Sequence, residues 1–345
     1  MKQDLLSLSL PELEAALLAL GEKKFRARQL YEWLHKKNAV DLAECTNLSA
    51  ALRERLGERF FIPRLTILKK LESRLDGTIK YLYALPDGER VETVLMSYHH
   101  GDSLCISTQV GCKMGCSFCA STKAGFVRDL TPSEILLQLY ETERDSGRSV
   151  GSIVLMGIGE PLDNFDNVMK FLDLLSSEAG RGMSLRHVSL STCGLVEEID
   201  RLADKKLGLT LSVSLHAPTD EKRSAVMPVN RRYGVGALVA ACKRYFDKTG
   251  RRVSFEFALI EGVNDDRATA EELIRLLKPL APCHVNLIPV NEIRERDYRR
   301  SANAKAFQTI LTEGGLNATI RRTLGADISA ACGQLRRDYV EEKNG

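Results

Sequence analysis

The hydrophobic positions change their period twice along the chain. Between residues 10 and 60 they recur at helical spacing: Leu13, Leu17 and Leu18 after Pro11, then Phe25, Leu30, Trp33 and Leu34 after Gly21. A third short helical stretch at 47–56 is closed by Gly57. Residues 78–85 and 90–96 read instead as two strands, and Pro86-Asp87-Gly88 between them predicts a hairpin turn. Residues 104–110 predict a further strand that runs straight into a cysteine-rich loop. Strand and helix patterns then alternate to the end of the chain. The strands fall at 152–156, 187–192, 209–215, 252–260, 283–288 and 318–321. The helices fall near 132–145, 165–178, 195–204, 234–248, 267–279 and 303–314. Such alternation implies parallel strands joined by crossover helices, an α/β class.

The pattern divides the chain into a helical accessory domain at 1–70, a hairpin region at 71–103, a core at 104–335 and a polar tail at 336–345. A length of 345 residues is enough for one large domain and a smaller one. The composition, 44% hydrophobic and 28% charged, is that of a globular protein. No apolar run reaches the roughly 18 residues of a membrane helix, and Met1-Lys2-Gln3-Asp4 lacks a secretory layout. The expectation is a cytoplasmic protein with no membrane partner, monomeric by default. A net charge of +3 says little about partners. Residues 1–70, however, hold 13 Lys+Arg against 9 Asp+Glu, with Lys23, Lys24, Arg26 and Arg28 together. That cluster suits a nucleic-acid surface or a solvated helix face.

Nine cysteines in a reducing compartment point to metal or catalytic chemistry more than to disulfides. Cys112, Cys116 and Cys119 form C-x3-C-x2-C on one short loop. Three thiolates so spaced suit three irons of a [4Fe-4S] cluster. The fourth iron then stays open to the amino and carboxylate groups of S-adenosylmethionine (SAM). A structural zinc site would need a fourth ligand that the neighbourhood does not offer. Gly157-Ile158-Gly159-Glu160 follows a strand, where functional groups collect in βα barrels. Gly159 lets backbone approach a ligand, and Glu160 suits the SAM amino group. Ser191, Ser214-Leu215-His216 and Asn291 also fall at strand ends. They suit SAM contacts, although each alone also reads as a capping or core residue. Cys105 and Cys332 lie outside the loop, Cys332 in a small-residue segment. Cys45, Cys193, Cys242 and Cys283 read as small buried hydrophobes. Glu92 shares a strand face with Val94 and Met96, and reads equally as a partly desolvated base or an exposed glutamate.

These motifs resemble the RlmN/Cfr family of radical SAM enzymes, which methylate adenosine in RNA. The resemblance is carried by Val91-Glu92-Thr93-Val94, the run from Cys105 to Cys112, Gly157 to Leu162, and Ser214 to Ala217. Met227 to Asn230, Gly262 to Asp265 and Ala331 to Leu335 add to it. It implies a partial (β/α)6 barrel with an N-terminal helical domain and a β-hairpin extension, one [4Fe-4S] cluster per chain and two SAM molecules per turnover. Cys332 would carry a methyl group taken from the first SAM. A radical made from the second would activate that group for addition to the adenine ring. Glu92 would accept the ring proton, and Cys105 would free the product through a transient disulfide with Cys332. The implied partners are 23S rRNA, tRNA and an electron donor such as flavodoxin. Pro161 and Pro289 resemble the RlmN branch, which methylates carbon 2 of adenosine 2503 in 23S rRNA and of adenosine 37 in tRNAs. The Cfr branch methylates carbon 8 of the same rRNA adenosine. Glu292-Ile293-Arg294 departs from the family pattern after Asn291. A non-enzymatic, cluster-bearing redox sensor that binds RNA is the alternative from a different class.

Overall fold

The computed structural model describes residues 2–122, 125–289 and 299–328. A two-residue strand β1 (Gln3–Asp4) leads into helices α1 (Leu10–Ala19), α2 (Lys24–His35) and α3 (Ala50–Arg59). Strand β2 (Phe60–Phe61) then returns to pair in parallel with β1. Leu13, Leu17, Leu30, Leu34, Leu52 and Leu56 are buried between these helices, whereas Leu18 and Phe25, which the helical spacing also picked out, are exposed.

Strands β3 (Thr66–Glu72), β4 (Ile79–Ala84), β5 (Arg90–Tyr98) and β6 (Gly101–Cys105) form an antiparallel run. The hairpin predicted around Pro86-Asp87-Gly88 is the β4–β5 pair, and β3 is an added edge strand. β3 carries no clean alternation of exposure, which is why it was not legible as a strand.

The predicted strand at 104–110 divides. β6 stops at Cys105, and β7 (Gln109–Gly111) leaves to pair with β8 (Phe126–Asp129) in a separate two-stranded sheet. Ser107 causes the break by turning its polar groups inward. Its hydroxyl donates to the Glu92 carbonyl at 2.7 Å, and its N–H donates to Gln138 Oε1 at 2.8 Å.

Helix α4 (Pro132–Ser146) follows. Thr131 and Glu134 cap its start reciprocally, and Gly147, at φ 67°, ends it. The alternation then continues through β9 (Val150–Leu155), α5 (Phe165–Ser176), β10 (Val188–Thr192), α6 (Val196–Lys205) and β11 (Thr210–Ser214). Next come α7 (Asp220–Val226), α8 (Val235–Thr249), β12 (Val253–Leu259), α9 (Arg267–Leu277), β13 (His284–Pro289), α10 (Ala304–Glu313) and β14 (Asn317–Ile320). Strands β6 and β9 to β14 pair in parallel, so six strand–helix units are followed by a seventh strand. Predicted and observed strand limits differ by one or two residues. Among the described α-helices, α7 is the one that periodicity missed, being only seven residues long.

Alternation along these strands sorts the two faces of the sheet. Val188 and Leu190 on β10, and Val285 and Leu287 on β13, are buried toward the helices. Ser189, Ser191, His284 and Asn286 take the other face. Met156, Ser191, Ser214, Glu256, Ile288 and Arg321 come from six different strands or their ends, yet they line one cavity. The sheet is therefore curved around a polar interior, a partial barrel. Among the described residues no helix is long and apolar enough to cross a membrane.

Candidate active site

The cysteine loop is held from both sides. Cys112 N–H donates to the Gly125 carbonyl at 3.2 Å, and Ser117 N–H donates to Val226 at 2.9 Å. Gly111 has φ 77°, and a Cβ there would lie 1.7 Å from the Gly125 carbonyl oxygen. Only glycine fits. Cys112 and Cys116 are buried and Cys119 half-buried. Burial pushes the Cys112 and Cys116 thiols up to about 12, with the neighbouring Cys119 adding to both shifts. Thiolates at these positions call for a cationic partner.

The three cysteines open onto a cavity of about 230 Å³. Gly157, Gly159, Glu160, Ser191, Cys193, Ser214 and His216 line it as well. Most of the predicted contacts thus meet at one place. Leu215 differs, because its side chain is fully buried in the core and its carbonyl accepts from Arg223 Nε at 3.1 Å. Asn291 and Cys332 lie outside the described residues.

Glu160 is 4% exposed. Its Oε2 accepts the Cys193 N–H at 2.7 Å and its Oε1 the Leu162 N–H at 3.1 Å. Burial raises its pKa, and these hydrogen bonds pull the other way. Gly159, at φ 106°, packs against Gln109, where a Cβ would meet the Gln109 side chain at 2.6 Å. His216 is one of the few non-glycine residues with positive φ (57°). Its Nδ1 accepts from Ala258 N–H at 2.9 Å, so Nε2 carries the proton. Burial, helped by the charge of Arg223, holds its pKa down to about 3, and the ring stays neutral. The Phe118 ring stands edge-on to it at 4.6 Å.

Cys105 and Glu92 lie beside this cavity. Cys105 packs with Val94, Met96 and Met156, and Met156 also lines the cavity. Burial pushes the Cys105 thiol up to about 11, while Arg321 opposes the shift. Glu92 is 2% exposed and sits 3.1 Å from Lys80 Nζ. It is the desolvated form of the two readings that its strand position allowed.

Three residues at the site escaped the sequence reading. Arg223 is fully buried. It donates to the carbonyls of Cys193 (2.6 Å), Ser214 (3.0 Å) and Leu215, and to Asn230 Oδ1 (3.0 Å). Glu256, also buried, accepts from Asn286 Nδ2 at 2.7 Å. Cys193 is buried as expected of a small hydrophobe, but at the cavity wall next to Glu160. Arg223 lies close before Met227-Pro228-Val229-Asn230, and that proximity was its one signal.

A larger open cavity of about 880 Å³ lies across the loop, lined partly by Lys113, Asp163, Glu197 and Arg201. Its basic side chains are each paired with an acid, Lys113–Asp163 at 2.8 Å, Arg201–Asp166 at 3.1 Å and Arg232–Glu197 at 3.7 Å. It gathers no cysteine, and the chemistry belongs to the smaller cavity.

The family model described as "Radical SAM superfamily" matches residues 106–277. The one described as "Ribosomal RNA large subunit methyltransferase N-terminal domain" matches residues 3–62. A relative from Lachnoclostridium phytofermentans, named "Probable dual-specificity RNA methyltransferase RlmN", is 52% identical over 99% of this chain and 96% of its own. One of the same name from Lachnospira eligens is 51% identical over 98% and 97%. The chain belongs to the RlmN family of radical SAM enzymes. A crystal structure titled as a radical SAM methyltransferase from Sphaerobacter thermophilus superimposes with TM-score 0.92 and 45% identity, covering 96% of this chain and 98% of that one.

Membership makes the protein a radical SAM methyltransferase that uses a [4Fe-4S] cluster and SAM. The site fits both groups. Among the described residues no cluster of three or more His, Cys, Asp or Glu is placed to hold a metal ion. Instead three thiols face an open cavity, as a larger iron–sulfur body with one free coordination position requires. Beyond them the wall offers a carboxylate, two serine hydroxyls and a neutral imidazole, which are partners for an amino acid joined to a nucleoside.

Proposed function

We propose that this RlmN-family protein methylates carbon 2 of adenosine 2503 in 23S rRNA and of adenosine 37 in tRNAs, in the cytoplasm and as a monomer. The observation that carries the reading is the position of Cys105. It stands outside the cluster loop yet joins the cavity wall through Met156, with the buried Glu92 on the neighbouring strand. The two-cysteine route implied by the family resemblance uses both that thiol and that carboxylate. The relatives' names support a dual RNA substrate, and Pro161 and Pro289 support the carbon-2 branch.

In this reading Cys112, Cys116 and Cys119 hold the cluster. Glu160, Ser191, Ser214 and His216 orient SAM, together with the Gly159 and Leu215 backbone and with Asn291. When bound, the two groups supply the methyl carbon and the one-electron chemistry that an unreactive aromatic carbon needs. Cys332 carries the methyl group as its thioether. Glu92 takes the ring proton, its carboxylate held in place by Lys80. Cys105 then forms a disulfide with Cys332 and releases the product. The exposed Lys23, Lys24 and Arg28 at the start of α2 supply positive charge for the RNA backbone, and a flavodoxin-type donor supplies electrons.

The test is anaerobic reconstitution with a 23S rRNA fragment and, separately, with tRNA, followed by mass spectrometry of the nucleosides. 2-Methyladenosine is expected from both, and Cys332→Ala should yield none. 8-Methyladenosine would move the target to the other branch. Continued methylation by Cys332→Ala would overturn the two-cysteine route.

A further inference from the structure

Lys80, Glu92 and Cys105 occupy one face of three adjacent strands. Val94 on β5 is opposite Lys80 on β4 and opposite Cys105 on β6. Directly opposed residues share a face, and so does Glu92, two positions along β5 from Val94. Glu92 and Cys105 are thus diagonal neighbours, roughly 7–8 Å apart at the backbone. The Lys80 and Glu92 side chains are 0% and 1% exposed, with Nζ 3.1 Å from Oε2. Their charges both act on Cys105, Glu92 disfavouring its thiolate and Lys80 favouring it, as Arg321 does from the end of β14. A sealed ion pair is a poor source of stability, since apolar residues of equal volume often do as well. Its place on the same face as Cys105, with Glu92 on the strand between Lys80 and that thiol, is the informative feature.

We propose that Lys80 is a positioning residue that shares one positive charge between Glu92 and Cys105, and so orders the two steps they perform. The proposal rests on the roles assigned above to Glu92 and Cys105. While Glu92 is ionised it pairs with Lys80 at 3.1 Å, and a Cys105 thiolate would be a second anion near that ammonium. Once Glu92 has taken the ring proton, the charge of Lys80 is no longer offset by that carboxylate and favours the thiolate. The thiolate's electron pair then forms the S–S bond to the sulfur that carried the methyl. The S–CH2 bond breaks, its pair passes to the methylene carbon, and that carbon gains a proton to become the product's methyl group. Two thiol sulfurs are oxidised while one carbon is reduced, so this step needs no outside oxidant.

The experiment follows Cys105 itself. Holoenzyme is alkylated with iodoacetamide across a pH series, and the Cys105 peptide is quantified by mass spectrometry. Glu92→Gln removes the competing anion and should lower the apparent thiol pKa by about one unit, near tenfold in rate at a fixed lower pH. Lys80→Met should raise it by a similar amount, and Lys80→Arg should stay near the parent protein. Adding Lys80→Met to Glu92→Gln gives a neutral pair that avoids a buried lone charge, and it should reverse the gain of Glu92→Gln. An identical profile with and without Lys80→Met in that background would overturn the proposal. In the RNA reaction, Lys80→Met should accumulate the covalent protein–RNA adduct on a denaturing gel. If the parent and a Cys105→Ala variant form no adduct, the proposed reaction itself fails, while the thiol titration still judges Lys80 independently.

Discussion

A single guanidinium, that of Arg223, fastens three of the strand-end backbone groups around the SAM-type cavity. It reaches the carbonyls of Cys193, Ser214 and Leu215 and the amide oxygen of Asn230, a fan that only a planar group with five N–H donors can serve. Burial lowers its pKa, but arginine remains a cation in this setting. Arg223→Met keeps the volume and removes every donor. Leaving several buried acceptors unmatched should reduce stability by about 2–4 kcal/mol, read as the shift in a urea unfolding curve. SAM affinity, measured by calorimetry on the reconstituted protein, should fall in parallel, because Ser214 and Cys193 lose their shared anchor. Arg223→Lys should recover the smaller part of both, since one ammonium cannot span the fan. Equal stability of Arg223→Met and the parent would mean that water replaces the guanidinium without loss.

The elements around the cavity owe their form to patterns of different legibility. Strands β9 to β14 were readable because each is a short apolar alternation bounded by helix signals. Their polar inner face was written in the same residues, as in Val188-Ser189-Leu190-Ser191. The cysteine loop was readable from its spacing. The break after Cys105 was not, because it depends on Gln138, a residue 31 positions away that receives the Ser107 N–H and donates to the Ser107 carbonyl. Lys80 was hidden for a similar reason. In sequence it is an ordinary strand lysine, and only strand pairing places it against Glu92. Gly111 shows how strictly the loop is specified. Gly111→Ala would drive a methyl group into the Gly125 carbonyl, against rigid backbone at a positive φ. The expected result is a folded protein with far less cluster, seen as lower iron content and weaker charge-transfer absorbance. Gly88→Ala is the control. It has a similar φ of 87° and nothing within 4 Å, so it should lose only about 1 kcal/mol of stability and no iron.

At the scale of the whole molecule, the helical segment and the barrel are welded into one continuous core. The weld is polar at its centre. His35 at the end of α2 is fully buried, with Nδ1 3.1 Å from the Tyr140 hydroxyl on α4 and its ring 4.2 Å from that of Tyr31. Gly180 presses on the same pair, since a Cβ there would come within 3.0 Å of His35 and Tyr31. Burial lowers the His35 pKa from 6.5 to about 3, so the folded protein holds this ring neutral. Its contribution to stability is whole above the unfolded value. As the pH falls below 6.5, the unfolded chain binds a proton that the folded chain refuses, and stability drains away at about 1.4 kcal/mol per pH unit. From pH 6.5 to 5 this one group should remove about 2 kcal/mol. His35→Gln retains a side-chain amide for Tyr140 and does not titrate. The variant should start less stable at neutral pH, yet its urea midpoint should fall less steeply with acid, and the two proteins should converge near pH 5. Parallel curves would place the acid sensitivity elsewhere. Convergence would locate it at the junction through which the N-terminal helices and the catalytic barrel hold each other in register, so that mild acid loosens the proposed RNA-facing helices from the barrel before the barrel itself unfolds.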